Sequence, residues 1–230
     1  MTRGRAVLAA LLLVCALGFV ALGVWQVERR AWKHALIDAV TSRSTAGPVA
    51  APGPSVEPQP YRRVHVTGRF LHDRETLVRA VSNLGSGYWV VTPLDNGGFT
   101  VLVNRGFVPP ERRDPATRAA ANGAGEARVT GLIRLTEPGG GFLRSNDPAS
   151  GNWYSRDVAA IAAARGVTDA VPYFIDADAA PNPGGWPRGG LTVLRFSDNH
   201  AVYALTWFAL ALMSLAGIWL VLRKRTDRPK

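Results

Sequence analysis

One imidazole at the start of an apolar run carries the sharpest chemistry in this chain. His200 follows Ser197, Asp198 and Asn199, and from Ala201 to Leu222 (AVYALTWFALALMSLAGIWLVL) no residue is charged. Wound as an α-helix, these ~22 residues span ~33 Å, enough to cross a hydrocarbon core of about 30 Å. Ser197, Asp198 and Asn199 have side chains able to accept from the free N–H groups of a helix start. Helical spacing puts His200, Tyr203, Ala204, Trp207 and Ala211 on one face. A nitrogen donor beside a strip of aromatic and small side chains is what a flat, apolar, metal-bearing cofactor requires, because neutral imidazole is a common metal ligand. The competing reading makes His200 an interfacial residue bonded to water or backbone. Tyr203, Trp207 and Phe208 would then be an ordinary aromatic belt at the membrane surface.

The other titratable residues offer less. Asp176 and Asp178 could act as paired carboxylates in a hydrolase, although strand alternation places both on one face, expected to be solvated. His34, His65, His72 and His200 form neither HExxH nor a Cys/His zinc pattern. There is no GxSxG, no P-loop, and no GxGxxG between a strand and a helix. His65 falls on the more polar side of its strand, where a surface histidine is expected.

These residues need elements to hold them, and composition says which. The chain of 230 residues is 47% hydrophobic and 19% charged, which points to a membrane protein with one domain of ordinary size. Net charge is +10, and most of it sits at the termini: Arg3 and Arg5 before the first apolar run, and Arg223, Lys224, Arg225, Arg228 and Lys230, less Asp227, after the second. No basic cluster with interleaved aromatics lies between, so nucleic-acid binding is excluded. The first run, Ala6 to Trp25, is too long for the apolar core of a signal peptide. Cys15 lacks the small preceding residue of a lipoprotein site. A retained helix is expected.

By the positive-inside rule both termini face the cytoplasm, and residues 26–200 form one outward domain. Cys15, the single cysteine, falls within the membrane, so the outer domain has neither a disulfide nor a redox relay. Only five residues precede the first run, too few for a mitochondrial transit peptide, and a bacterial inner membrane is the expected location.

Within the outer domain, Gly23 to Ile37 continues the first helix. Trp25, Arg29 and Trp32 share a face there, as an interface anchor or as an arginine placed to meet a carboxylate. Residues 41–60, rich in Pro, Ala, Gly and Ser, read as a flexible linker, and 61–196 as a β domain. Period-two patterning predicts strands over Tyr61–Phe70, Glu75–Val81, Tyr88–Leu94, Phe99–Val108, Ala127–Leu135, Val171–Ala177 and Leu191–Phe196. Asp95-Asn96-Gly97-Gly98 is a hairpin turn, Gly106 a bulge or a close backbone approach, and Val158–Arg165 a short helix capped by Asp157. The irregular stretch from Glu137 to Asp157 carries Phe142, Trp153 and Tyr154, which are expected to pack on something. The predicted fold is two transmembrane helices flanking a mostly antiparallel, possibly barrel-like β domain.

The ordered stretches GVWQVERRAWK, YRRVHVTGRF, GYWVVTPL, VLVNRGFVP, TGLIRLTEPGGGFLRSNDP, WYSRDVAAIA and PNPGGWPRGGLTVLRFSDNHAVYALTWFALA resemble the surfeit locus protein 1 family, from about Gly23 to Ala211. Phe107 stands where many members carry Trp after NRG. The resemblance implies an assembly factor of cytochrome c oxidase, a carrier or chaperone and no turnover enzyme. Its partners would be the oxidase core subunit and other assembly factors, within membrane lipid. It further implies transient haem a binding, with His200 as axial ligand to the iron and Tyr203 and Trp207 along the apolar edge. Propionates would point to water and to Arg29 or Arg30. A cofactor-free scaffold for an oxidase intermediate, and an outward-facing enzyme built on Asp176 or Asp178, are the alternatives.

Overall fold

In a computed structural model of the chain, residues 2–194, 196 and 198–223 are described. They fall into two units: residues 2–39 with those from 196 onward, and Val40–Leu194. The basic tail 224–230 and Ser197 lie outside the described residues.

The first unit is a helix pair. Helix α1 (Arg3–Thr45) and helix α3 (His200–Leu222) are both long and apolar enough to cross a membrane. Within this unit their buried positions are small: Ala16 and Gly23 on α1, Ala204, Ala211 and Ser214 on α3. A Cβ at Gly23 would come within 2.6 Å of the Phe208 ring, and one at Gly217 within 3.2 Å of Leu12. Small residues let two helix backbones approach where lipid supplies no hydrophobic drive. The outward faces expose Val7, Leu11, Leu17, Val202, Leu212 and Leu220, a surface suited to acyl chains.

The second unit is built on one sheet. Strands β2 (Arg63–Phe70), β3 (Thr76–Ser82), β4 (Gly85–Asp95), β5 (Thr100–Val108), β6 (Glu126–Leu135) and β9 (Ala170–Ala177) supply its body. The order β2-β6-β9-β5-β4 closes on itself through Arg69 opposite Asp95 and Phe70 opposite Leu94, giving a five-stranded barrel. β3 extends β4 outward, and β1 (Val49–Ala50) lies parallel to the start of β2. The β5–β9 pair is also parallel; the other barrel pairs are antiparallel.

Alternation sorts the core. Val64, Val66, Leu94, Val101, Val103, Val129, Ile133, Val171, Tyr173 and Ile175 come from all five barrel strands and fill the interior. Their sequence neighbours Leu102 and Phe174 point the other way. There they join Val78, Val91, Trp153, Val158 and Ile161, so α2 (Val158–Ala164) covers that side. Every residue of β5 is buried, which explains the apolar runs Val101–Val103 and Phe107–Val108 on either side of Asn104 and Arg105. Asp157 caps α2 by accepting from the Ala160 N–H at 3.1 Å, and Gly166 ends it at φ +64°.

The hairpin turn forms as its residues require. Asp95 accepts from the Gly97 N–H at 2.8 Å, Asn96 from those of Gly98 and Phe99 at 2.9 Å, and Gly97 takes φ +83°. Gly106 is both bulge and close approach. The β4–β5 register skips Arg105, and a Cβ on Gly106, at φ +131°, would meet the Arg188 carbonyl oxygen at 2.1 Å.

Three expectations change. The stretch 41–60 is no linker: α1 runs to Thr45, β1 pairs with β2, and the Tyr173 hydroxyl donates to the Pro52 carbonyl at 2.7 Å. Pro and Gly there shape a fixed path, because this segment finds the start of β2 and the end of the barrel interior to bond to. The predicted strand Leu191–Phe196 does not form over its described residues. The barrel is already closed, so its strands have no free edge for that segment, and Thr192 instead donates its hydroxyl to Asp176 at 3.0 Å. Of the three loop aromatics, Trp153 is fully buried and Tyr154 half-buried, but Phe142 is 92% exposed. Phe142 sits between the two-residue strands β7 (Gly140–Gly141) and β8 (Arg144–Ser145), at a hairpin tip.

Candidate cofactor-binding groove

His200 opens α3, and its surroundings are set by α1. Asn199 takes the cap position without using its side chain, and Asp198 Oδ1 instead accepts from the His200 backbone N–H at 3.1 Å. On the facing helix, Gln26, Arg30 and His34 follow one another at i, i+4 and i+8, the stripe that an α-helix turns to a single neighbour. All three meet the α3 start. Gln26 Oε1 lies 2.7 Å from His200 Nδ1. Arg30 Nε donates to Asp198 Oδ2 at 3.2 Å, and His34 Nε2 is 2.6 Å from the same oxygen.

Between the helices runs a groove of about 500 Å³, lined by Val27, Arg30, Ala31, His34, His200, Ala201, Ala204, Leu205 and Phe208. This is within the usual size of small-molecule sites, roughly 300–1,000 Å³. Its wall is apolar along Val27, Ala31, Ala204, Leu205 and Phe208, with cationic Arg30 and the His34 ring at one end. Asp198 already shows what that end can hold: a carboxylate, drawn well below its ordinary range to about 2. The His34 hydrogen bond contributes most to that shift, followed by the His200 N–H and Arg30.

Gln26 Oε1 meets the His200 ring at Nδ1; in the tautomer that donates to this oxygen, the Nε2 lone pair is the one left for a metal. An imidazole nitrogen, an apolar wall and a carboxylate-binding end suit an amphiphilic metalloporphyrin with acidic side groups. No cluster of three or more His, Cys, Asp or Glu residues suited to a bare metal ion occurs among the described residues.

The residues singled out from the sequence separate here. His200 lines the groove, whereas Tyr203 is 55% exposed on another face of α3 and Trp207 stacks on Phe19 with ring centroids 5.7 Å apart. Neither Tyr203 nor Trp207 borders the groove; the aromatic that does is Phe208. The seam passes through His200, Ala204, Ala211 and Ser214, so i+4 steps outweigh the i+3 neighbour Tyr203. Arg29 lies 4.0 Å over the Trp32 ring, leaving Arg30 as the arginine that meets a carboxylate. Sequence reasoning missed Gln26 and His34. The signal was present in the Gln26–Arg30–His34 spacing, but only the facing of the two helices gives it meaning.

Asp176 and Asp178 are not a solvated pair. Asp176 is 5% exposed and accepts from Asn104 at 2.8 Å, Arg134 at 2.9 Å, Arg156 at 3.0 Å and Thr192 at 3.0 Å. Asp178 lies past the end of β9, half-exposed beside Arg63. The first carboxylate is saturated by donors and the second faces solvent, so they do not divide acid and base roles between them. Phe107 is fully buried, its ring 5.9 Å from Trp89 in an edge-on contact, a core position.

A closed β-barrel inserted in sequence between two membrane-length helices, whose pair holds a groove lined by His34 and His200, is the architecture of a membrane-associated protein. The SURF1 family model matches residues 13–212. Surfeit locus protein 1 of Mus musculus is 40% identical over 219 residues, covering 87% of this chain and 70% of the mouse protein. That of Takifugu rubripes is 37% identical over 220 residues, covering 87% and 90%, and that of Homo sapiens 39% over 210 residues, covering 83% and 69%. The chain belongs to the SURF1 family.

Proposed function

We propose that this protein assists cytochrome c oxidase assembly by holding haem a in the groove of its helix pair and delivering it to the oxidase core subunit. The observation that carries this reading is the groove itself: the His200 imidazole, met at Nδ1 by Gln26, beside an apolar wall that ends in Arg30 and His34. His200 would supply the axial nitrogen, Phe208, Leu205 and Ala204 the contact with the macrocycle, and Arg30 the counter-charge for a propionate that displaces Asp198 from it, with the His34 ring beside it. The bound iron contributes only its coordination bond, and no chemistry is turned over. A single protein ligand suits cargo that has to leave, since the receiving histidine need replace only one bond.

In this reading the barrel domain faces outward from a bacterial inner membrane, both termini lie in the cytoplasm, and the other contacts are oxidase subunits, further assembly factors and lipid. The test is the visible spectrum of protein purified from cells that make haem a, with His200→Ala beside it. A Soret band in the wild type that is lost in the variant, with oxidase maturation impaired, is the expected result. Colourless wild-type protein, with maturation indifferent to His200→Ala, leaves a cofactor-free scaffold as the function.

A further inference from the structure

Among the described residues, the polar partner of Gln26 on the facing helix is the His200 ring. We infer that Gln26 is a positioning residue: it holds His200 as the Nδ1–H tautomer, presents Nε2 to the cargo, and sets how firmly the iron is held. The inference rests on the haem-carrier reading only for the identity of the cargo.

The argument starts from the acceptor. An imidazole has one proton to place between two nitrogens, and iron needs the lone pair of the one that lacks it. Left alone, the ring is free to protonate Nε2, and a protonated Nε2 cannot coordinate. A carbonyl oxygen 2.7 Å from Nδ1 removes that freedom. The strength of the acceptor also matters. A carboxylate there would pull the Nδ1 proton, raise the basicity of Nε2 and strengthen its bond to iron. An amide is a neutral and weaker acceptor, so it fixes the tautomer without making the ligand strongly anionic. That choice fits a protein that has to release its cargo.

The acceptor sits on α1 and the ligand on α3, so a shift of one helix against the other breaks the hydrogen bond and weakens the ligand at the same step. Gly23, one turn before Gln26, is where Phe208 fits against α1, and it keeps the two residues within reach of each other.

The experiment uses the full chain in detergent or nanodiscs, with ¹⁵N-labelled histidine for NMR and haem titration as a second readout. The wild type is expected to show His200 as Nδ1–H, and Gln26→Leu to move the ring toward Nε2–H and weaken haem binding about 10–100-fold. Gln26→Glu, which keeps an acceptor at the same place, is expected to retain the tautomer, bind haem more tightly, shift the Soret band and slow transfer to an acceptor apoprotein. Helicity by circular dichroism checks that each variant folds. An Nε2–H ring in the wild type overturns the inference, as do tautomer and haem affinity both unchanged in Gln26→Leu. A wild type with the Nδ1–H ring that binds no haem upholds the positioning role and overturns the haem-carrier reading.

Discussion

Replacing Asp176 by Asn tests how the barrel unit is held together. The change conserves shape, so it leaves no cavity; what it alters is charge and one pair of lone pairs. All four partners of Asp176 are donors: Asn104 Nδ2, Arg134 Nη1, Arg156 Nη1 and Thr192 Oγ1. An amide nitrogen in place of one carboxylate oxygen faces two of them as donor against donor, and two guanidiniums lose their shared anion. Removing one partner of a buried charged network destabilises by about 3–5 kcal/mol. Arg156 keeps Glu137, at 3.0 Å and 2.6 Å, which places the effect at the lower end, ~3 kcal/mol. At roughly 2–4 °C per kcal/mol for a chain of this size, Tm falls by about 6–12 °C.

The internal control is two residues away. Asp178 and Arg63 are 3.4 Å apart and both partly exposed, so Asp178→Asn changes stability by at most about 1 kcal/mol. Thermal unfolding of the two variants in one detergent, followed by near-ultraviolet circular dichroism of the buried indoles, compares them directly. If Asp176→Asn shifts Tm no more than Asp178→Asn does, the network does not organise the barrel and the reasoning is wrong.

Three further outcomes are expected. Gly106→Ala drives a Cβ into the Arg188 carbonyl from a backbone conformation that alanine resists, and lowers stability by about 3 kcal/mol in denaturant titration; an unchanged midpoint would contradict the close approach. His72 is held below its ordinary 6.5, first by desolvation and then by the Arg105 guanidinium, with Glu75 and Arg118 also nearby. Because its folded pKa is depressed, its neutral form is favoured: this contribution is complete above pH 6.5 and is lost as pH falls through the folded value. His72→Gln should therefore flatten the acid side of the stability–pH curve, and a curve of unchanged slope would argue against it. The Asp198 carboxylate, held by His34, the His200 N–H and Arg30, should titrate near pH 2 by ¹³C NMR. Its contribution to the α3 start is present above 3.8 and lost as pH falls through about 2, and an ordinary titration near 3.8 would show that His34 and Arg30 do not hold it.

Patterns confined to neighbouring residues were legible before any coordinates. Two unbroken apolar runs imply two long helices because a helix satisfies its own backbone and needs nothing from the rest of the chain. Alternation marked six of the strands, five of them within two residues at each end and β4 three residues short at its start, and the Asp-Asn-Gly-Gly turn, the Asp157 cap and the Gly166 stop all act over four residues or fewer. His200 stood out for the same reason, as a polar donor against an apolar background.

What depends on partners distant in sequence was decided only by the tertiary structure. Whether Leu191–Leu194 becomes a strand depends on a free edge, and barrel closure between β2 and β4 removes it. Whether 41–60 wanders depends on the Pro52 carbonyl finding Tyr173, far along the chain. Asp176 and Asp178 look alike in sequence, yet one is buried among four donors and the other is solvated, because β9 ends between them. The groove follows the same rule. Helical period alone put Tyr203 and Trp207 beside His200, but the seam against α1 takes Ala204 and Phe208 into the groove, leaves Tyr203 exposed and stacks Trp207 on Phe19. That seam brought Gln26, Arg30 and His34 to the imidazole, since a helix face acquires chemistry only from what packs against it.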